Sequence, residues 1–293
     1  MPLDAFLLIL LAGLIHAGWN IAAKHAGGDA RFAFFSSALV AIVWAPVGWW
    51  FARGALGQWG ATEWAFVLAS GVIHVFYFVT LLRGYRRADL TVVYPLARGS
   101  GPLITALVAV LFLGEQLSAL GGLGIAAVVG GVFLIAGGPG LWRTAHDPAA
   151  RERLHRGLAY GALTGVFIAG YSVVDGYAVK VLLMSPILVD YMGNLVRLVL
   201  FAPTVLRDRA QALRLWRLQW KHALGVAVFS PIAYVLVLFA MQRAPLSHVA
   251  PAREVSMLFA ALIGGHLLRE GDRALRLLGA VFIASGVAAL ALA

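Results

Sequence analysis

LTVVYPLARGSGPLITALVAVLFL, residues 90–113, is apolar over about the length of helix that crosses a bilayer, and yet it is interrupted. Two prolines, Pro95 and Pro102, and one arginine, Arg98, stand inside it. A proline removes a backbone donor, and an arginine exposed to lipid costs roughly 2.5–3.5 kcal/mol on insertion scales. The stretch therefore predicts a transmembrane helix that is broken near Arg98, with the arginine facing the protein interior, a partner or water.

The rest of the chain has the same membrane character. Of its 293 residues, 61% are hydrophobic and 12% are charged, whereas a soluble domain carries about 25% charged residues. Only helices satisfy the backbone of such an open chain in lipid, which predicts an all-α, polytopic membrane protein. Ten transmembrane helices are predicted, at about 3–23, 32–51, 63–83, 90–113, 119–137, 157–179, 186–206, 221–241, 246–268 and 274–293.

The distribution of positive charge predicts the orientation. The formal net charge is +10, but the basic residues lie between the apolar runs, so they indicate topology rather than a nucleic-acid partner. Of 23 lysines and arginines, 17 follow odd-numbered spans. Because such residues stay cytoplasmic, both termini are expected to face outward. The first span begins with Asp4 and no basic lead, so a cleaved signal peptide is not expected.

An internal repeat organises the chain. RRADLTVVYPLAR, from Arg86, aligns with QRAPLSHVAPAR, from Gln242, with one residue deleted. Downstream the two copies keep a constant offset, which pairs Arg98 with Arg253, Glu115 with Glu270, Gly124 with Gly279 and Gly131 with Gly286. We therefore expect five-helix repeats at 1–143 and 157–293, joined by a basic connector at 144–156. Because five is odd, the second repeat is predicted to be inverted.

The paired arginines locate a candidate site. Each lies about 11 Å inside its span, shortly after Pro95 or Pro251. Broken helices at matching positions of two inverted repeats point to a binding site near the midplane. A structural interpretation stays open, in which each arginine snorkels to the membrane surface or bridges helices by bonding backbone carbonyls at the end of a broken helix. Glu254 is also suited to neutralise its neighbour Arg253.

Several segments resemble a known family. FLGEQLSALGGLGIAAVVGGVFLIAG (112–137), GWNIAAK (18–24) and the second copy from Leu246 resemble the EamA-type domain of the drug/metabolite transporter superfamily over nearly the whole chain. The resemblance implies a ten-helix carrier of the bacterial inner membrane that alternates between inward and outward access. Bacterial members mostly export metabolites, including aromatic amino acids, while relatives carry nucleotide sugars and sugar phosphates. The sixth span departs from the pattern by carrying Asp175.

Polar and aromatic side chains inside the spans are the candidates for lining a substrate cavity. The candidates are His16, Asn20, His74, Tyr77, Phe78, Tyr94, Arg98, Tyr171, Asp175, Tyr234, Arg253, Glu254 and Ser256. An arginine suits a carboxylate, and Asp175 or Glu254 suits an ammonium group. His16, His74 and Asp175 are rival proton carriers. The set favours a secondary transporter that exports amino acids, aromatic ones included, or related small metabolites.

Other polar and small residues receive structural interpretations. Glu115, together with Ser118 as a helix cap, is read as structural. A second predicted network joins Asp190, Asn194 and Arg197. The stripe of small residues at Gly157, Gly161 and Gly165 predicts close helix packing.

Other functions remain open at this level. A nucleotide-sugar or sugar-phosphate carrier would need more cationic side chains in the cavity. An intramembrane serine hydrolase built on Ser100, or a scaffold with a transporter fold, belongs to a different class. No catalytic residue, cofactor, metal site or nucleic-acid module is predicted, and the absence of cysteine excludes disulfides. The expected partners are a small-molecule substrate and the lipid bilayer, and a monomer is favoured.

Overall fold

Helices make up nearly all of the chain in the computed structural model, which describes residues 1–26, 29–88, 90–135, 138, 148–263 and 273–293. No strand occurs in these residues. The helices are α1 Leu3–Ala26, α2 Ala30–Val43, α3 Ala45–Ala55, α4 Ala61–Arg87, α5 Leu90–Phe112, α6 Ala119–Ile135, α7 Pro148–Lys180, α8 Pro186–Leu206, α9 Arg209–Arg243, α10 Leu246–Ala252, α11 Val255–Ile263 and α12 Arg273–Leu292. A 3₁₀ turn, Leu56–Gln58, follows α3.

Many of these helices are long enough to cross a membrane. Within the described residues seven helices are both long and apolar enough, and an eighth span results if α2 and α3 are taken together. The apolar helix α6, with 17 residues, is shorter. The all-α, multi-pass character is therefore confirmed, while the number of ten spans stays a prediction.

The predicted second span is bent rather than straight. Its two parts, α2 and α3, meet at Trp44 with an angle of 65°. Pro46 stands in the first turn of α3, where the missing N–H of a proline costs least. The Trp44 indole Nε1 donates to the carbonyl of Ala227 at 2.9 Å, which anchors the bend to α9.

The expected break in the fourth span is wrong. Helix α5 continues through both Pro95 and Pro102. Each proline removes a single backbone donor, and the helix tolerates the loss. In the ninth span, by contrast, the backbone N–H groups of Glu254, Ser256 and Met257 bond to carbonyls three residues earlier, at 3.0, 3.1 and 2.9 Å. This tightening separates α10 from α11, so only the second repeat carries the predicted break.

Two predicted connectors are largely helical. Helix α7 begins at Pro148 and α9 at Arg209, well before the spans expected at 157 and 221. The segment Arg209–Trp220 contains neither proline nor glycine and is rich in alanine, leucine and arginine, which favour a helix. Residues 144–147 of the basic connector and 264–268 of the ninth span lie outside the described residues.

The two repeats contact each other through glycines. A Cβ on Gly124 would lie 3.0 Å from the carbonyl oxygen of Gly286, and one on Gly131 would lie 2.6 Å from that of Gly279. The lower-numbered residue on α6 thus meets the higher-numbered residue on α12. Helices α6 and α12, which the repeat alignment equates, therefore pack antiparallel.

A second pair of contacts between the repeats has the same reciprocal form. A Cβ on Gly13 of α1 would meet Val255 and Ser256 of α11, while Gly165 of α7 lies against Ser100 and Gly101 of α5. GLIHAGW, from Gly13, resembles GVFIAGY, from Gly165, and the repeat alignment equates Val255 with Ser100 and Ser256 with Gly101. The close approaches of α7 to α5 at Gly157, Gly161 and Gly165 also confirm the predicted packing stripe.

Candidate functional site

Aromatic side chains from three helices meet around Tyr171. This buried residue of α7 stacks on the His74 ring of α4, with ring centroids 4.0 Å apart and planes inclined by 22°. Tyr77 of α4 and Tyr234 of α9 approach Tyr171 at 5.8 and 6.2 Å. We call His74, Tyr77, Tyr171 and Tyr234 the aromatic cluster. All four were predicted from the sequence, and the packing of α4, α7 and α9 brings them together.

A carboxylate lies at one end of the aromatic cluster. The Tyr234 hydroxyl donates to Asp175 Oδ2 at 2.5 Å. Asp175 Oδ1 is buried and accepts no aligned hydrogen bond, although the Ser70 hydroxyl lies near this carboxylate. No lysine, arginine or histidine of the described residues lies within 4.0 Å of the Asp175 oxygens. The carboxylate therefore has no cation as a direct partner.

Hydrogen bonding orients the histidine of the cluster. His74 Nδ1 lies 2.9 Å from the backbone carbonyl oxygen of Ser70 and 3.4 Å from its hydroxyl. A carbonyl only accepts, so the proton of His74 sits on Nδ1. The other ring nitrogen, Nε2, is then the acceptor of the neutral ring.

An arginine contacts the cluster through Tyr171, a different member from the one that binds Asp175. Arg253 stands where α10 ends, and its two terminal nitrogens donate to Ser172 Oγ and to the Tyr171 hydroxyl, both at 3.4 Å. These bonds are near the upper limit of length, and no carboxylate of the described residues lies within 4.0 Å. The half-buried Arg253 thus keeps most of its capacity to bind an anion.

Arg98 has a different environment from its repeat mate. Its Nε lies 2.9 Å from Glu254 Oε2, and its Nη2 donates to Ser256 Oγ at 2.8 Å. The Glu254 side chain is only 2% exposed. Glu254 therefore pairs with the arginine of the other repeat, not with its neighbour Arg253 as the sequence suggested, and this ion pair joins α5 to the α10–α11 break.

The remaining predicted residues make other contacts. The His16 ring packs edge-on against Trp19 at 4.6 Å, and Asn20 Nδ2 donates to the His16 carbonyl at 2.9 Å. Phe78 packs against Phe201 at 5.6 Å. Tyr94 packs against the main hydrophobic core. His16 also lies close enough to Arg98 and Arg253, and Tyr94 close enough to Tyr77, for an electrostatic interaction, so these two residues border the aromatic cluster.

The predicted network on α8 is present in modified form. Arg197 Nη2 donates to Asp190 Oδ1 at 3.2 Å, across seven residues of one helix. Asn194 Nδ2 donates instead to the backbone carbonyl of Ser37 on α2, at 3.0 Å. Asn194 therefore holds α8 against α2, while the ion pair of Arg197 and Asp190 stays within α8.

Glu115 has the structural role that was predicted for it. It follows α5 and accepts from the backbone N–H groups of Leu246 and Ser247 at 2.7 and 2.8 Å, at the start of α10. Lys180 Nζ lies 3.3 Å away. Burial raises the pKa of Glu115, but the two N–H donors and Lys180 outweigh it and hold this pKa below its usual value. Its repeat mate Glu270 lies outside the described residues.

The predicted cap of α6 is confirmed, and one contact residue was missed. Ser118 Oγ accepts from the backbone N–H of Gly121 at 3.0 Å. Ser172, which contacts Arg253, was not among the sequence candidates. The one feature of the sequence that pointed to Ser172 was its position next to Tyr171. The α10–α11 break brings Arg253 into contact with both residues.

Within the described part of the chain, no group of three or more histidine, aspartate or glutamate residues is placed to hold a metal ion.

Two apolar cavities lie against α2. One, of about 150 Å³, lies beneath the bend between α2 and α3 and touches Trp44, Asp190 and Tyr191. The other, of about 520 Å³, lies between α2 and the first turns of α9. Neither is lined by a member of the aromatic cluster.

Comparisons with known proteins agree with the architecture. The model of a family described as the EamA-like transporter family matches residues 4–137 and 155–292. A crystal structure of a protein 16% identical superposes with a TM-score of 0.75 and covers 98% of each chain. At this identity the likeness shows the fold alone. No curated protein matches the sequence.

Proposed function

Because this chain belongs to the EamA-like transporter family, whose members are membrane transporters of small solutes, we propose that it exports amino acids, aromatic ones included, or related small metabolites by alternating access. The observation that carries the proposal is the separation of opposite charges. Arg253 donates to the Tyr171 hydroxyl, Asp175 accepts from the Tyr234 hydroxyl, and neither has a charged partner within 4.0 Å in the described structure. A zwitterion with an apolar side chain matches this arrangement.

Arg253 is suited to the carboxylate. A guanidinium binds a carboxylate through two parallel hydrogen bonds, which are shorter and stronger than bonds to neutral groups. Its present acceptors are hydroxyl groups at 3.4 Å. A substrate carboxylate would therefore replace weak contacts by strong ones.

Asp175 is suited to the ammonium group. A buried carboxylate with an unpartnered oxygen is costly, and an ammonium group removes this cost by supplying both charge and donors. The aromatic rings between the two charged groups favour an apolar or aromatic side chain by stacking, and they attract a cation by their faces.

Alternating access finds support in the packing of the repeats. The antiparallel contacts of α6 with α12, and the reciprocal contacts of α1 with α11 and of α7 with α5, are those expected of two inverted five-helix repeats. The α10–α11 break next to Arg253 offers a point at which the helix can change direction. We place the protein in the bacterial inner membrane, with both termini outward.

The alternative functions have less support. A sugar-phosphate carrier would need several free cations, whereas the charge of Arg98 is compensated by Glu254. For a serine hydrolase, Ser100 would need a nearby base; its hydroxyl donates to the Leu96 carbonyl at 2.6 Å and lies against Gly165.

Purified protein in liposomes tests the proposal with labelled amino acids and with analogues that lack one charge. We expect Arg253→Gln to weaken the apparent affinity for an amino acid about 10- to 150-fold, the worth of a hydrogen bond to a charged group. The analogue without the carboxylate should be insensitive to this change. Arg53→Gln, at an exposed position, is the matched control.

Asp175→Asn tests the other end of the site. It should weaken transport of amino acids but not of analogues without the ammonium group. The proposal fails if no amino acid crosses the liposome membrane through the protein. It also fails if Arg253→Gln and Arg53→Gln have the same apparent affinity for the amino acid.

A further inference from the structure

One face of α2 and one face of α9 form a groove that contains no member of the aromatic cluster. Its walls repeat the pattern i, i+3, i+4 and i+7, which describes one face of a helix. The wall from α2 consists of Phe35, Ala38, Leu39 and Ile42, and the wall from α9 consists of Arg209, Ala212, Leu213 and Trp216. Val205 and Leu206, at the end of α8, complete the lining.

The groove is apolar and open to its surroundings. Its volume of about 520 Å³ is within the range of about 300–1,000 Å³ that is typical of sites for organic ligands. The rings of Phe35 and Trp216 contact each other at 5.2 Å on opposite walls. Ala38 and Ala212 leave the space between the walls free, because their side chains are short. Ile42 and Leu213 are 69% and 59% exposed, so the groove presents hydrocarbon to the bilayer.

One charged residue lines the groove. Arg209 is the first residue of α9 and is exposed, and Arg207 precedes it closely. Asp208 accepts from the Gln211 N–H at 3.0 Å and pairs with Arg31 at 3.6 Å, and Arg31 pairs with Asp29 at 3.3 Å as well. The stretch from 209 to 221 carries further basic residues and no acid. Arg31, Arg207 and Arg209 thus outnumber Asp29 and Asp208, and the mouth of the groove keeps a net positive charge.

We propose that this groove binds one anionic glycerophospholipid, with an acyl chain between the walls of α2 and α9 and the phosphate at Arg209. An apolar slot in a membrane protein that ends in a basic patch matches the two parts of such a lipid. A second copy of this chain is the poorer fit, because it would bring its own basic segment against the first. The site is independent of the proposed substrate.

Native mass spectrometry of the delipidated protein in detergent tests the site. The protein is titrated with phosphatidylglycerol or with phosphatidylcholine of identical acyl chains. We expect one tightly held phosphatidylglycerol, preferred about fivefold over phosphatidylcholine, since one arginine near the headgroup contributes about that factor. Arg209→Gln should abolish the preference.

Two matched variants separate this site from general attraction of anionic lipids. Arg217→Gln removes the same charge from an exposed position on α9 that does not line the groove, so it should keep the preference. Ala38→Phe fills the groove and should reduce the binding of both lipids. Equal effects of Arg209→Gln and Arg217→Gln would overturn the proposal. Equal binding of the two lipids by the wild-type protein would also overturn it. The same holds if the wild-type protein proves to be a dimer that Ala38→Phe dissociates.

Discussion

The ion pair between Arg98 and Glu254 gives the sharpest prediction about the structure. It joins α5 of the first repeat to the α10–α11 break of the second, with 2.9 Å between Arg98 Nε and Glu254 Oε2. The two side chains are 13% and 2% exposed. We consider Arg98→Met, Glu254→Met and the double variant, because methionine is long, unbranched and uncharged.

The expected magnitudes follow from burial. Each single variant leaves one charge buried without its partner, which costs about 3–5 kcal/mol, whereas removal of both charges is often nearly neutral. The double variant also loses the bond from Arg98 to Ser256, worth about 1 kcal/mol. At roughly 2–4 °C per kcal/mol, each single variant should lower Tm by about 6–20 °C, and the double variant by only about 2–4 °C.

Thermal unfolding in one detergent, followed by tryptophan fluorescence, measures these shifts. The double variant should also retain transport, since Arg98 is occupied by Glu254 and is not needed for the substrate. If both single variants melt within 2 °C of the wild type, or if their effects simply add in the double variant, then the side chains do not form this pair.

Three further predictions concern packing, pH and topology. Gly131→Ala should destabilise the protein by about 1–3 kcal/mol, because the new Cβ would lie 2.6 Å from the Gly279 carbonyl oxygen. Gly130→Ala, whose Cβ would have its nearest neighbour at 3.8 Å, is the control and should leave the stability unchanged. Equal Tm values for the two variants would contradict the close crossing of α6 and α12. The pKa of Glu115 is lowered, so its stabilisation exists above the ordinary carboxyl pKa and is lost as the pH falls. The Tm difference between wild type and Glu115→Gln should therefore shrink below about pH 4, and a difference that does not depend on pH would refute this. A reporter fused to the C-terminus should be active outside the cytoplasm, and activity only inside would reverse the orientation.

Much of the fold could be predicted because it depends on local sequence properties. The length and hydropathy of the apolar runs indicated the all-α membrane character. The alignment equated Gly124 and Gly131 with Gly279 and Gly286, but the close crossing of their helices is seen only in the structure. The helix breaks were harder. Pro102 leaves α5 continuous, although Pro251 precedes a break, because a proline removes one bond and the neighbouring residues decide whether the helix bends.

The candidate site was only partly predictable. His74, Tyr77, Tyr171 and Tyr234 were chosen for their polarity inside spans, and the structure brings these four together. Asn20 and Phe78 were chosen on the same grounds, yet Asn20 bonds within its own helix and Phe78 packs against Phe201. His16 and Tyr94 lie between these cases, since they interact electrostatically with Arg253 and with Tyr77. Polarity inside a span indicates that a side chain avoids lipid, but not which interior neighbours it meets.

By itself, then, the sequence determined the membrane class, the repeat and the small-residue stripe at Gly157, Gly161 and Gly165, since these follow from hydropathy, length and side-chain size along the chain. Only the tertiary structure decided that Glu254 pairs with Arg98 and leaves Arg253 without a carboxylate partner in the described residues. The two arginines look alike in the repeat. Their charges are distinguished by contacts between helices that are far apart in the chain, and adjacency in sequence contains no information about those contacts.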